Sequence, residues 1–361
     1  MILKYMKYYF LFITLSLIWL SSCSNKTDLS QFPISTGGGP VVTETTYVQQ
    51  SPVWNQFNKP EAVLLGREPL IYVCDTKNNR VVQLDLAGGE IGSIEVTNPR
   101  AIAQDYNFDL LVIADTTSNI FTDTLSILYR IKLVQIGGVI SNASLLPLMR
   151  SDYATPLSSR RRKFTGVGVY SDNSYIITRT GPDNTSSLDP DNALLRVTGI
   201  NSVTSVTPLG GFQPTGNGIY SIDKMSAITT FNNNLTNFII TRNSVDFGFK
   251  VEWFEFDDVK GTYNPRYLPG DNVDLLNKQL GTPVGICLDP SNNIFVVDNA
   301  RDSLYKYTSL GKYKNESFGG TGNGVKQLNN PNGVSFFNKV LYIADTGNDR
   351  IVRYKLSTDL Q

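Results

Sequence analysis

The sequence predicts an all-β chain of repeated antiparallel units closed into a ring, and three observations carry that prediction. The stretch Gln327–Leu356 holds three β-type runs, Gly333–Phe337, Val340–Ala344 and Ile351–Leu356, separated by the turn-forming Asn338-Lys339 and Asp345-Thr346-Gly347-Asn348-Asp349. Leu341/Ile343 alternate with Tyr342/Ala344, the period-2 pattern of a strand with two differently packed faces, and so small a meander cannot bury those faces alone. Second, its frame recurs at Phe57–Leu86, Asn98–Asp115 and Leu280–Tyr307. Third, the last unit has three strands while the β-prone Val42–Val48 precedes the first unit without one of its own. Six units of about 50 residues over Phe57–Leu356 make a six-bladed β-propeller of four-stranded antiparallel blades, closed by an N-terminal strand that completes the last blade.

Residues 1–22 stand apart from this fold. Lys4 and Lys7 precede the 13-residue apolar run Tyr8–Leu20, too short to span a bilayer comfortably but right for a secretory signal. Leu20-Ser21-Ser22-Cys23 follows and resembles the lipobox of bacterial lipoproteins, which makes Cys23 the acylated mature N-terminus. Acyl chains, at about 0.8 kcal/mol per buried CH₂, then hold the protein on a membrane without a spanning helix. Ser24 in place of Asp, by resemblance to enteric lipoproteins, favours the outer membrane, with periplasmic or external orientation left open. Residues 23–43, with Thr36-Gly37-Gly38-Gly39-Pro40 at their centre, read as a flexible tether, and residues 44–361 as the propeller domain.

Within that domain the anchor prolines are Pro60, Pro99, Pro283 and Pro331, and the anchor aspartates Asp75, Asp115, Asp298 and Asp345. The pattern resembles the NHL repeat, closely in the first, fifth and sixth units, partially in the second. Between Ile131 and Gly281 it is degraded: Gly166–Tyr170, Tyr175–Thr178 and Ala193–Thr198 give a third unit, and Ala227–Phe231, Phe238–Thr241 and Lys250–Phe256 a fourth. Each anchor aspartate is suited to accept backbone N–H bonds from the loop that follows and to pair with an arginine five residues on, Arg80 or Arg350. Cys74 and Cys287 take small-residue positions in different units and read as buried small hydrophobes rather than a disulfide.

The third and fourth units depart from the frame at one place. Their second strands end in Arg179 and Arg242 where the other four end in aspartate. Insertions cluster nearby, at Thr116–Leu125, at Thr180–Asn192 and in the connection Gly138–Phe164, which carries Arg160-Arg161-Arg162-Lys163. Long loops on a rigid scaffold are where binding concentrates. The face over blades two to four is therefore the candidate site, with Arg179 and Arg242 as a two-guanidinium fork for a carboxylate and Arg160, Arg161, Arg162 and Lys163 as further ligand-binding cations. The competing reading is structural: Arg179 and Arg242 pairing with Asp183, Asp189 or Asp246, and Arg160–Lys163 an ordinary exposed charge run.

Composition narrows the chemistry. Histidine is absent, which excludes Ser-His-Asp and Cys-His catalysis and removes the commonest zinc ligand. Without Lys4 and Lys7 the chain has 30 basic against 32 acidic residues, near −2, and no basic run dominates, so nucleic acid is not an expected partner. Sugar-lactonase-like propellers hold calcium with Glu, Asn and Asp at the channel mouth; no spacing here identifies such a site, and Asp183, Asp189 and Asp191 resemble a calcium loop only loosely. The expected function is a non-catalytic propeller that binds a protein, peptide or glycan, needs no cofactor, and is lipid-anchored at the cell envelope. A calcium-dependent lactonase- or lyase-like hydrolase and a structural subunit of an envelope complex are the alternatives.

Overall fold

In the computed structural model, which describes residues 45–117, 124–153, 160–243 and 248–360, six four-stranded antiparallel sheets surround a central channel. Blade one comprises β2 (Pro60–Leu65), β3 (Ile71–Asp75), β4 (Arg80–Leu84) and β5 (Glu90–Glu95); blade two β6 (Ala101–Gln104), β7 (Leu110–Thr117), β8 (Thr124–Lys132) and β9 (Ser144–Arg150). Blade three is β10 (Lys163–Val169), β11 (Tyr175–Thr180), β12 (Ala193–Thr198) and β13 (Ser205–Pro208); blade four β14 (Met225–Thr230), β15 (Phe238–Arg242), β16 (Val251–Asp257) and β17 (Thr262–Pro265). Blade five is β18 (Pro283–Leu288), β19 (Ile294–Asp298), β20 (Ser303–Tyr307) and β21 (Tyr313–Gly319). In blade six β22 (Val334–Phe337), β23 (Val340–Asp345) and β24 (Arg350–Leu356) are completed by β1 (Tyr47–Trp54). Innermost strands of neighbouring blades touch all the way round, β22 against β2 closing the circle.

The two-faced strands explain why the ring must close. Leu341 and Ile343 pack toward blade five, whereas Tyr342 and Ala344 pack toward blade one. In β3, Ile71 and Val73 face blade six while Tyr72 and Cys74 face blade two. Six apolar clusters result, one in each seam between blades. Cys74 is buried in its seam, Cys287 half-buried in another, and both are free thiols.

Closure uses a different segment from the one expected. The completing strand is Tyr47–Trp54, paired antiparallel with β24 from Tyr47↔Leu356 to Trp54↔Ile351. It shares only Tyr47 and Val48 with the expected Val42–Val48, of which residues 42–44 lie outside the described residues. Two buried aromatics select this register. Tyr47 packs on Phe295 and Phe318, and Trp54 on Tyr342. Pro52 argues against a strand when read as sequence, yet β1 is outermost, where a missing N–H removes no ladder bond. The supposed long connection Gly138–Phe164 contains β9, the outer strand of blade two, and the Thr116–Leu125 insertion begins as a prolongation of the β7–β8 ladder to Thr117↔Thr124. Residues 1–44, and with them the signal, Cys23 and the tether, lie outside the described residues. No helix among the described residues is long and apolar enough to cross a membrane.

Truncating Trp54 tests the closure. Trp54→Ala should cost about 3 kcal/mol and lower the melting temperature by roughly 6–12 °C, as read by calorimetry. An unchanged midpoint would show that the seam between blades six and one does not depend on β1.

Candidate functional site

Six buried residues, Pro60, Pro99, Phe164, Met225, Pro283 and Pro331, fix the starts of the innermost strands. The residue after each faces a common cavity of about 810 Å³: Glu61, Arg100, Thr165, Ser226, Val284 and Asn332. That all six converge at one mouth shows that the inner strands run parallel around the channel. The loops from second to third strands and the connections between blades therefore share this face.

The ring is chemically uneven. Thr165 and Thr178 share a hydroxyl–hydroxyl bond of 2.8 Å, and the Ser226 hydroxyl donates to the Pro283 carbonyl at 2.6 Å. Asn332 donates to the Thr346 hydroxyl at 3.1 Å, and Arg100 donates to Asp115 at 3.0 Å. Glu61 differs: no described residue donates a hydrogen bond to its half-buried carboxylate. Burial raises its pKa above the ordinary range, against the pull of Arg100 and Lys77. Most of the remaining wall comes from blades two to four, including Lys163, Thr180, Gly181, Asn184, Asn192 and Lys224. Asn192 ties the insert Thr180–Asn192 to the next connection, donating to Pro214 O at 2.7 Å and to Asp223 at 3.0 Å. A second cavity of about 610 Å³ lies between blades four and five and shares Asn243 with the channel mouth.

The anchor aspartates of blades one, five and six take their backbone amides from the preceding connection rather than from the loop that follows. Asp75 accepts from Asn58 N at 2.7 Å, Asp345 from Asn329 N at 2.7 Å, and Asp298 from Gly281 N and Thr282 N at 2.6 and 2.8 Å. Each carboxylate thus pins the segment by which the chain enters its own blade. The expected partners are in place: Arg80 donates to Asp75 at 2.8 Å and Arg350 to Asp345 at 2.7 Å. Asn78 and Asn348 add amide donors, and Asn79 and Asp349 take the left-handed conformation that turns the chain into the third strand. Asp298 stands farther from Arg301, at 3.9 Å.

Arg179 and Arg242 do not form a fork at the mouth. Both are fully buried, and neither lines the cavity. Arg179 donates to Asp189 at 2.7 Å, to Pro190 O at 2.6 Å and to Asp191 O at 3.0 Å. Arg242 meets Glu252 at 3.1 Å and donates to Ser221 O at 2.9 Å, with Gly216, Gly218 and Asp223 carbonyls at 3.2–3.3 Å. Where aspartate would accept loop amides, arginine donates to loop carbonyls; the staple is kept and its polarity reversed. Burial pushes the Glu252 carboxyl well up in pKa, against the pull of Arg242. Arg162 is buried too, donating to Asp191 at 2.6 Å and Asp189 at 2.8 Å. Arg160 and Arg161 are exposed and away from the cavity wall, so Lys163 alone of the four reaches the cavity. Asp246, the other partner considered for Arg242, lies outside the described residues.

The Thr180–Asn192 loop does not offer calcium a free set of carboxylates. Asp189 and Asp191 are engaged by Arg162 and Arg179, and Asp183 accepts from Thr185 at 2.7 Å, so the loop that loosely resembled a calcium site has its carboxylates committed. Glu61 is the one acid of the six-residue ring; Asp115 and Asp223 line the same cavity and accept from Arg100 and Asn192. Among the described residues no group of three acids or cysteines is placed to hold a metal.

No protein-family model and no curated protein matches the chain. Solved structures do, through their fold. An auxiliary nutrient binding protein of Bacteroides ovatus superposes with a TM-score of 0.57 at 11% identity, over 87% of this chain and 78% of that one. One from Bacteroides thetaiotaomicron gives 0.56 at 12%, over 83% and 69%. A luciferin-regenerating enzyme gives 0.57 at 10%, over 86% and 95%. Binding proteins and an enzyme thus share one scaffold, and at such identities the likeness establishes the scaffold alone. The chain is a six-bladed β-propeller.

Two stability measurements test the reversed staple. Arg179→Met should cost about 3 kcal/mol, since it strands buried carbonyls and removes one of the two arginines on Asp189. Burial raises the Asp189 pKa, but hydrogen bonds from Arg179 and Arg162 outweigh it and hold the carboxyl below its usual value. A depressed carboxylate contributes stability above the unfolded-state value of about 3.9 that is lost as pH falls through the folded value. The melting midpoint should therefore drop below about pH 4, and less steeply in Asp189→Asn. A pH profile identical in both proteins would place the effect elsewhere.

Proposed function

We propose that this protein is a non-catalytic binding propeller of the bacterial envelope, held to the outer membrane by lipid on Cys23, with blades of the NHL type. The site is the channel mouth over blades two to four, and the observation that carries the reading is the cavity itself. It joins one undersatisfied carboxylate to hydroxyl, amide and ammonium groups on rigid strand ends. Such a lining recognises a polar ligand bearing hydrogen-bond donors or a cationic group, as peptides and glycans do. No serine or threonine at the mouth has a histidine to activate it, and the two propeller cysteines lie in the seams. The Bacteroides proteins of like fold are described as nutrient-binding, which accords with a binding role, while the reading rests on this chain's own cavity.

Thermal-shift and calorimetric screening of short peptides and oligosaccharides should yield a ligand whose affinity falls about tenfold in Glu61→Gln, the loss of one charge-assisted hydrogen bond, with the melting midpoint of the free protein unchanged. Lys224→Ala should weaken the same ligand. Because burial raises the Glu61 pKa, binding should weaken as pH falls toward that raised value in wild type but not in Glu61→Gln. Ligands indifferent to both substitutions would move the site elsewhere. Anchoring is tested separately: Cys23→Ser should shift the protein from the membrane to the soluble fraction or block its processing, and an unmodified Cys23 in the mature protein would overturn the anchor.

A further inference from the structure

The face opposite the channel mouth carries a feature that the binding site does not use. Because the inner strands run parallel, every turn between a third and a fourth strand lies on that opposite face. Each such turn in blades one to five presents a large exposed aliphatic residue: Leu86, Val134, Ile200, Val259 and Leu310. Blade six, whose fourth strand is β1, presents Leu360 just beyond β24. Phe108 and Leu235, in turns between first and second strands, add to the same face. Of the thirteen large hydrophobics exposed among the described residues, nine lie on this side, with Ile91 at the start of β5. Isolated exposed hydrophobics are normal; one per blade at equivalent turns is a pattern.

The turns are built to hold these side chains outward. Val259 is 96% exposed at the tip of a turn closed by Gly261 N donating to Asp257 O at 2.8 Å, with its own N–H capped by the Asp257 carboxylate. Leu310 is 65% exposed, its N–H held by the Thr308 hydroxyl, and Gly311 supplies the left-handed residue that follows. Turn tips of this kind ordinarily carry polar residues. Both signs of charge border them, as Asp258 and Lys260 flank Val259, so the face is amphipathic without being strongly cationic.

The chain enters the propeller on this same face. Tyr47 pairs with Leu356 at the far end of β24, and Thr46 exchanges bonds with Ser357, three residues before Leu360. We propose that this face is a membrane-docking surface, and that its apolar tips insert into the bilayer that holds the Cys23 lipid. The proposal rests on the anchored reading above and deepens it: it fixes which face meets the lipid and leaves the channel mouth facing away. Apolar tips contribute through the area they bury, and the mixed charge makes docking insensitive to salt and to anionic lipid.

The test uses the full-length lipidated protein carrying Cys74→Ala and Cys287→Ala, with a single added cysteine at Val259→Cys, Leu310→Cys or, on the mouth face, Leu188→Cys. Each is labelled with an environment-sensitive fluorophore and reconstituted in phosphatidylethanolamine–phosphatidylglycerol vesicles with brominated acyl chains. Labels at Val259 and Leu310 should shift to the blue and be quenched at least about twofold relative to Leu188, as expected for side chains inserted at the acyl boundary. Equal wetness at all three positions overturns the proposal, including the case in which a protein partner, absent from pure lipid, covers the tips in cells. The anchor is judged independently, by the mass of the mature N-terminus, so a wet tip on an acylated protein sinks the docking face alone. An unmodified Cys23 sinks the anchor and, with it, the docking face that depends on it.

Discussion

Each blade has two apolar faces and can bury neither by itself. A strand such as β23 sends Leu341 and Ile343 one way and Tyr342 and Ala344 the other, so every sheet needs a neighbour on both sides. A linear array would always leave two faces wet; a ring leaves none. Every other feature depends on that closure. Parallel inner strands follow from it, as does the convergence of six equivalent side chains at one mouth. So does the use of the N-terminal segment, Tyr47–Trp54, to fill the last gap.

Closure also demands that each connection between blades be held where it enters the next strand. In blades one, five and six an aspartate at the end of the second strand accepts the amides of that entering segment. In blade four the segment runs with its carbonyls inward, and Arg242 supplies the donors. Blade three uses Arg179 in a related way on the carbonyls of its own second-to-third-strand loop. A guanidinium with five donors can staple a longer, looser segment than a carboxylate can. That agrees with the insertions found in this half of the ring.

Much of the ring was legible because its signal is periodic. Alternation located second and third strands, even in the degraded third and fourth units, to within a few residues. Outer strands were missed since they are short and largely exposed, as Glu90–Glu95 and Ser205–Pro208 are, and carry no buried face to impose a pattern. Arg179 and Arg242 stood out correctly as departures from the repeat, but sequence does not show whether a guanidinium points into a channel or into a bed of carbonyls. Burial decided that. Conversely, Glu61 was overlooked although it sits beside an anchor proline. The signal was available: it occupies the variable position after that proline, the one place where the repeat leaves the side chain to the channel.

The pairing of β1 with β24 sets how the domain carries a mechanical load. The strands run antiparallel, with the N-terminal end of β1 beside Leu356 at the edge of the ring. A pull on the N-terminus along the strand loads the ladder in shear, so its hydrogen bonds share the force instead of opening one at a time. The buried rings of Tyr47 and Trp54, at either end of the strand, resist the same displacement. In a chain held by this end and loaded from the opposite face, the tension runs along this ladder.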